Sequence, residues 1–242
     1  MIEVKRLTKR FGDRLAVDSI SFVAKPGEVV GLLGPNGAGK TTTMRMLTGF
    51  LPPTEGAAQI AGHDIVSDSL EARRNVGYLP ERVPVYPDMT VREYVLFWAR
   101  LRGRRDASSR ADAVIERVNL GDRRNTLIRN LSKGMRQRLG FAQAMAHDPP
   151  VLILDEPTIG IDPQQVIEVR DTVRELGRTK TVLFSTHILS EADHVCDRVV
   201  ILHKGRIVAQ GKPNDLKRKL RPGATLEDVF LSIVGSHPGA TP

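Results

Sequence analysis

Gly34-Pro35-Asn36-Gly37-Ala38-Gly39-Lys40-Thr41 is the stretch whose reading decides the fold. It matches G-x-x-x-x-G-K-[ST], the phosphate-binding loop. The apolar run Val29-Val30-Gly31-Leu32-Leu33 precedes it and reads as a buried strand, and Thr41 to Leu47 reads as a helix. In that setting the glycines let consecutive backbone N–H groups turn inward around a polyphosphate. The helix N-terminus adds partial positive charge at the same place. Lys40 supplies a full charge near β/γ-phosphates, and the Thr41 hydroxyl is a Mg²⁺ ligand candidate. A glycine-rich turn beside a chance lysine would not need a strand before it and a helix after it.

Downstream, Val151-Leu152-Ile153-Leu154-Asp155-Glu156 is a continuously apolar strand ending in two acids. Such a strand is covered on both faces. Asp155 is placed to hold Mg²⁺ through water, and Glu156, one step on, to orient and deprotonate an attacking water. A second apolar strand, Thr181 to Ser185, ends at Thr186-His187. His187 is a candidate for reaching a γ-phosphate; the alternative is an ordinary surface or core histidine. The six histidines form no convincing metal cluster, and Cys196 is alone, so no internal disulfide is expected. In Leu131-Ser132-Lys133-Gly134-Met135, Ser132 is an N-cap candidate and Gly134 permits close approach of an anion. A helix through Arg138, Leu139, Ala142 and Met145 follows, which by itself is also simply a capped helix.

The pattern between these motifs is α/β with a helical insertion. Lys25-Pro26-Gly27 is a turn, and Gln59-Ile60-Ala61 reads as a strand ending at Gly62. Val91, Tyr94, Val95, Trp98 and Leu101 recur at helical spacing, with Thr90 and Glu93 in capping-box register. A second helix is read around Ala113 to Val118, with the charged run Arg102 to Arg110 joining the two. Helices are also read over Pro163 to about Leu176 and Leu189–His194, and a strand over Arg198–Leu202 before a turn at Lys204-Gly205.

The chain has 242 residues, a formal charge of +8 and 5% aromatics. One large domain, or a core with subdomains, fits that length. No apolar run approaches the roughly 20 residues of a membrane span, and no secretory signal is read at the N-terminus. Basic residues cluster at Arg100, Arg102, Arg104 and Arg105 and again at Lys217, Arg218, Lys219 and Arg221. These are either solvated surface or patches for nucleic acid or anionic lipid. Aromatics do not interleave with them, which weakens a single-strand nucleic-acid platform, so no specific nucleic acid is expected.

Taken together, the ordered motifs from about Ile2 to about Gly211 resemble the ATP-binding subunit of ABC transporters. Gly34–Thr41 resembles Walker A, Leu131–Met135 the ABC signature and Val151–Asp155 Walker B. Glu156 falls at the family's catalytic glutamate, Ile159-Gly160-Ile161-Asp162 at the D-loop and His187 at the switch histidine. Phe11 stands where the family places an adenine-stacking aromatic, usually Tyr. The resemblance implies a P-loop NTPase core of ABC-ATPase type, with an antiparallel β subdomain, a helical subdomain at about 88–147 and a short C-terminal extension at about 212–242, all in one nucleotide-binding domain. It implies ATP and Mg²⁺ as cofactors. The implied contacts to nucleotide are Phe11, Gly34, Pro35, Asn36, Gly37, Ala38, Gly39, Lys40, Thr41, Thr42, Ser132 and Gly134, with Thr41, Asp155 and Glu81 near the metal and Glu156, His187 and Glu81 in catalysis. Two subunits, alike or different, would sandwich two ATP molecules, each between Walker A of one and the signature of the other.

Two positions depart from the commonest family pattern. The signature reads LSKGM rather than LSGGQ, keeping Ser132 and Gly134. Glu81 stands where Gln is usual, keeping an oxygen but adding charge and losing NH₂ donors. With the late Leu226-Glu227-Asp228-Val229-Phe230, these features resemble exporter-type ATPases of gliding-motility and multidrug systems. The resulting expectation is an ATPase at the cytoplasmic face of the membrane, peripheral and bound to a separate permease. The rivals are a soluble ABC ATPase and an ATP-dependent binding switch with weak hydrolysis. Arg82-Val83-Pro84-Val85-Tyr86-Pro87, kept extended by its prolines, either packs under the helical segment or lines a groove for the permease, with Tyr86 as anchor.

Overall fold

The computed structural model describes residues 1–235. The chain begins with β1 (Ile2–Phe11), β2 (Arg14–Ala24), β3 (Val29–Leu33) and α1 (Lys40–Leu47). It continues through β4 (Glu55–Ile60), β5 (His63–Asp64), α2 (Ser69–Arg74) and β6 (Val76–Leu79). Three helices follow: α3 (Val91–Leu101), α4 (Ala107–Arg117) and α5 (Lys133–Met145). Then come β7 (Val151–Asp155), α6 (Pro163–Gly177), β8 (Thr181–Thr186), α7 (Leu189–Val195), β9 (Arg198–His203), β10 (Arg206–Gly211), α8 (Pro213–Leu220) and α9 (Leu226–Gly235).

These strands make two sheets. One is antiparallel, in the order β2-β1-β4-β5; the other runs β10-β9-β3-β8-β7-β6, parallel except for the β9–β10 hairpin. The central strands β3, β7 and β8 are buried at every position. Alternate side chains along a strand point to opposite faces, and here both faces are covered. Leu152, Leu154, Val182 and Phe184 pack toward the helices, while Val151, Ile153 and Leu183 pack toward α1 and the antiparallel sheet. That two-sided burial explains the unbroken apolar runs of these strands. Each fully buried Val, Leu or Ile contributes about 1.5–3 kcal/mol of transfer free energy.

The helices between β6 and β7 are built as their local sequence prescribes. Thr90 caps α3, accepting from the Glu93 amide, and Glu93 returns a bond to the Thr90 N–H at 2.8 Å. The fully buried Tyr94 places its hydroxyl 2.6 Å from the Pro84 carbonyl and 2.5 Å from Gln143 Oε1. It thereby ties the proline-bounded segment to α3 and α5. Helix α5 closes on β6 at Gly77, where a Cβ would lie 2.0 Å from the Ala144 carbonyl oxygen. Only glycine allows that approach.

The α/β class expected from the motifs is the fold observed. The details differ at several points. The joint between α3 and α4 ends at Asp106, because Ala107 and the residues up to Arg110 already belong to α4. Ala61 does not extend β4; it turns at φ 52. Strands β6 and β10 and the short helix α2 carry no strong period of their own and are stabilised by neighbours. The segment Leu226–Phe230 forms the first part of α9.

Candidate active site

Strand order builds the site. In the parallel sheet β8 lies between β3 and β7, and β6 flanks β7, so the C-terminal ends of four strands sit side by side. Leu33 pairs with Thr186, and Asp155 with Ser185. The phosphate loop, His187, Asp155-Glu156 and Glu81 therefore emerge together along one edge, where open α/β sheets bind their ligands. Between them lies a cleft of about 350 Å³ lined by Asn36 to Thr42, Glu81, Glu156, Ile159, His187, Arg14 and Ala16.

The loop has the backbone its glycines foretell. Gly34, Gly37 and Gly39 hold φ of 149, 80 and 106. At Gly39 a Cβ would also fall 2.8 Å from the Ala16 carbonyl oxygen, so no other residue fits there without a shift. No side chain caps α1. The amides of its first turn, which have no intrahelical partners, are left for an anion. Lys40 is buried, at 5% exposure. Its ammonium donates to the Gly34 carbonyl at 2.7 Å and the Pro35 carbonyl at 3.3 Å, and lies 3.2 Å from Glu156 Oε1.

The two acids at the end of β7, Asp155 within it and Glu156 just beyond, have different surroundings. Asp155 Oδ1 accepts from Ser185 Oγ at 2.6 Å and from Thr41 Oγ1 at 3.4 Å. Its Oδ2 is buried with no partner. Burial pushes the Asp155 carboxyl above its ordinary value, outweighing those two bonds, and the charges of Glu156 and Glu81 push the same way. A divalent cation would satisfy the orphaned oxygen and offset that cost. The donor set of Thr41 hydroxyl, Asp155 carboxylate and the nearby Glu81 is hard oxygen, which suits Mg²⁺. Glu156 turns through left-handed φ 48. Its N–H donates to Ser185 Oγ at 2.9 Å, and its Oε2 lies 2.8 Å from His187 Nδ1. A single carboxylate thus touches both the loop lysine and the histidine.

Other candidates lie elsewhere. Ser132 caps α5, its Oγ accepting from the Met135 amide at 3.2 Å. Neither it nor Gly134, which lies against Gln165 of α6, lines the cleft. Phe11 closes the β1–β2 turn opposite Arg14, half-exposed, with the Lys9 ammonium 5.2 Å from its ring centroid. It does not line the cleft either. Val83 and Val85 pack against the helical core, as the packing alternative has it. Tyr86 does so only in part: it is 51% exposed and touches the core's Tyr94, and Phe97, edge-on. Sequence reasoning missed Arg14, Ala16 and Ser185. None belongs to a linear motif. Ser185 could have been suspected from its place at the end of an apolar strand beside His187.

Four of the eight residues of the basic runs form ion pairs, Arg104 with Asp106, Lys217 with Asp193, Arg218 with Asp215 and Arg221 with Asp228. Among the described residues no helix is long and apolar enough to cross a membrane.

Comparison with known proteins adds the following. Residues 17–159 match the family model described as ABC transporter. The chain is 37% identical over 235 residues to the linearmycin resistance ATP-binding protein of Bacillus subtilis, spanning 96% of this chain and 75% of that one. It is 41% identical over 218 residues to the Nod factor export ATP-binding protein I of Burkholderia orbicola, spanning 89% and 72%. Among solved structures, the ATP-binding subunit of an ABC transporter superposes with TM-score 0.87 at 31% identity, covering 97% of this chain and 99% of that one. A dimeric post-hydrolysis ATP-binding cassette bound to ADP and phosphate gives TM-score 0.79 at 26% identity, covering 88% and 98%.

Proposed function

The chain belongs to the ABC transporter ATP-binding family, and from that premise we propose that it powers an exporter through a separate membrane permease. ATP hydrolysis is the family activity. The observation that supports this site for it is the Glu156 carboxylate held between Lys40 and His187, 3.2 and 2.8 Å away, at the mouth of the phosphate loop. In this reading the loop amides, Lys40, Thr41 and Thr42 bind the phosphates, and Phe11 stacks on the base. Asp155 and Thr41, with Glu81 alongside, would hold Mg²⁺, which when bound would neutralise phosphate charge. Glu156 accepts a proton from water as the water oxygen bonds to the γ-phosphorus and the bond to the β–γ bridging oxygen breaks, releasing ADP. His187 keeps Glu156 aimed and reaches the phosphate.

Export is inferred from the relatives named for linearmycin resistance and Nod factor export. Dimerisation, with Ser132 and Gly134 acting on nucleotide held by the opposite subunit, accounts for their place outside the cleft of their own chain. The helices at about 88–147 would then form the subdomain that meets the permease at the cytoplasmic face. The experiment mixes Lys40→Ala and Ser132→Ala subunits. One site of each mixed dimer keeps both halves intact, so ATP-dependent dimerisation and turnover should exceed those of either mutant alone. No recovery in the mixture rules out shared sites in a homodimer.

A further inference from the structure

Glu191, in the first turn of α7, is a buried carboxylate that the site so far does not use; it is 3% exposed. Its Oε2 accepts from Thr158 Oγ1 at 2.7 Å and from Thr186 Oγ1 at 3.2 Å. Its Oε1 lies 3.9 Å from the Arg170 guanidinium of α6. Both threonines are buried, at 4% and 0% exposure. A carboxylate removed from water is costly unless its oxygens are hydrogen-bonded, and here two hydroxyls converge on one of them.

The positions of those hydroxyls are informative. Thr158 lies two residues after Glu156, and Thr186 immediately precedes His187. Thr186 Oγ1 also accepts from the Ile188 amide at 3.0 Å. Its proton therefore goes to Glu191 and its lone pair to the backbone just beyond His187, so both sides of that histidine are fixed. From α5, Gln137 Nε2 donates to the Pro157 carbonyl at 2.9 Å. On the other side Ser185 binds Asp155 and the Glu156 amide. The loop after β7 is thus held at every residue from Asp155 to Thr158. Glu156 needs such bracing, because its φ of 48 is a strained conformation that persists only where surroundings over-determine it.

We propose that Glu191 is a positioning residue for hydrolysis. Through Thr158 and Thr186 it ties the loop carrying Glu156 to the loop carrying His187 and sets the 2.8 Å contact between them. It touches neither substrate nor the reacting atoms. The inference rests on the reading that Glu156 and His187 act at the γ-phosphate.

The test measures kcat and KM for ATP on the purified full chain, with thermal melting of each variant. Glu191→Ala releases both threonines and should lower kcat about 10- to 10²-fold, the usual effect of an ångström-scale misplacement. The KM for ATP should stay within about twofold, because the loop amides and Lys40 are untouched. Glu191→Gln can place its amide oxygen at the Oε2 position and accept from both hydroxyls, so it should recover most of the lost kcat. Thr158→Val, nearly isosteric, should lower kcat while melting near the parent. Adding it to Glu191→Ala should cost nothing more, since both remove one linkage. The proposal is overturned if Glu191→Ala turns over at the parental rate while Glu156→Gln is inactive. It is also overturned if Glu191→Ala loses kcat only by unfolding and Thr158→Val keeps parental kcat. If Glu156→Gln itself retains parental turnover, the underlying reading of the site fails, and this inference with it.

Discussion

Glu156→Gln should do two opposite things at once, and the contact with Lys40 sets the second. Loss of the general base is expected to lower turnover about 10²–10⁴-fold. The effect on binding has the other sign. Lys40 and Glu156 are paired 3.2 Å apart, with side chains 6% and 7% exposed. A nucleotide phosphate has to take the same ammonium, so the parent gives up this pair on binding. A hydrogen bond involving a charged group is worth about 1.5–3 kcal/mol. Gln keeps an acceptor oxygen for Lys40 beside the Gly34 and Pro35 carbonyls but offers no charge, so the pair is weakened to an ordinary hydrogen bond. The variant therefore surrenders less when phosphate arrives. A neutral bond is worth about 1 kcal/mol less, or somewhat more, so at 1.4 kcal/mol per factor of ten ATP should bind about tenfold tighter. The same loss appears in the free protein as a lower melting temperature, which saturating ATP restores by mass action. Calorimetric titration with Mg–ATP, single-turnover hydrolysis and melting with and without nucleotide measure all three. A variant that binds ATP no more tightly than the parent would refute the competition argument, whatever its turnover.

Two further outcomes follow from particular residues. Tyr86→Ala should weaken capture of the permease by about 2 kcal/mol or more if the exposed ring is an anchor, yet leave ATP binding intact. It should destabilise the free chain by only about 1 kcal/mol through lost edge contacts with Tyr94 and Phe97; unchanged pull-down excludes the anchor role. His147 is held neutral, its pKa lowered to about 4 chiefly by burial and next by Arg102. Its ordinary value is 6.5, so between those limits the unfolded chain binds the extra proton and stability falls as pH falls. The full span amounts to about 3 kcal/mol. Urea unfolding at pH 7 and pH 4.5, in the parent and in His147→Gln, isolates this part of the slope; equal slopes would remove His147 from the account.

What the sequence by itself determined was local. The phosphate loop, the apolar strands β3, β7 and β8, the capping box at Thr90 and the N-cap at Ser132 each depend on neighbours within a few residues, and each formed as read. Glu156 and His187 were legible because each ends an apolar run, where a side chain emerges at the strand's C-terminal edge. Weakly patterned elements such as β6, β10 and α2 were not legible, because their stability comes from partners distant in the chain. Only the tertiary structure decided which ends meet. Inserting β8 between β3 and β7 puts His187 against Glu156, Glu156 against Lys40 and Ser185 between Asp155 and the Glu156 amide. It likewise brings Glu191, an unremarkable acid in a short helix, onto two threonines 33 and 5 residues away. Strand order is set by burial summed over the whole sheet and by backbone pairing, neither of which any single stretch of sequence encodes.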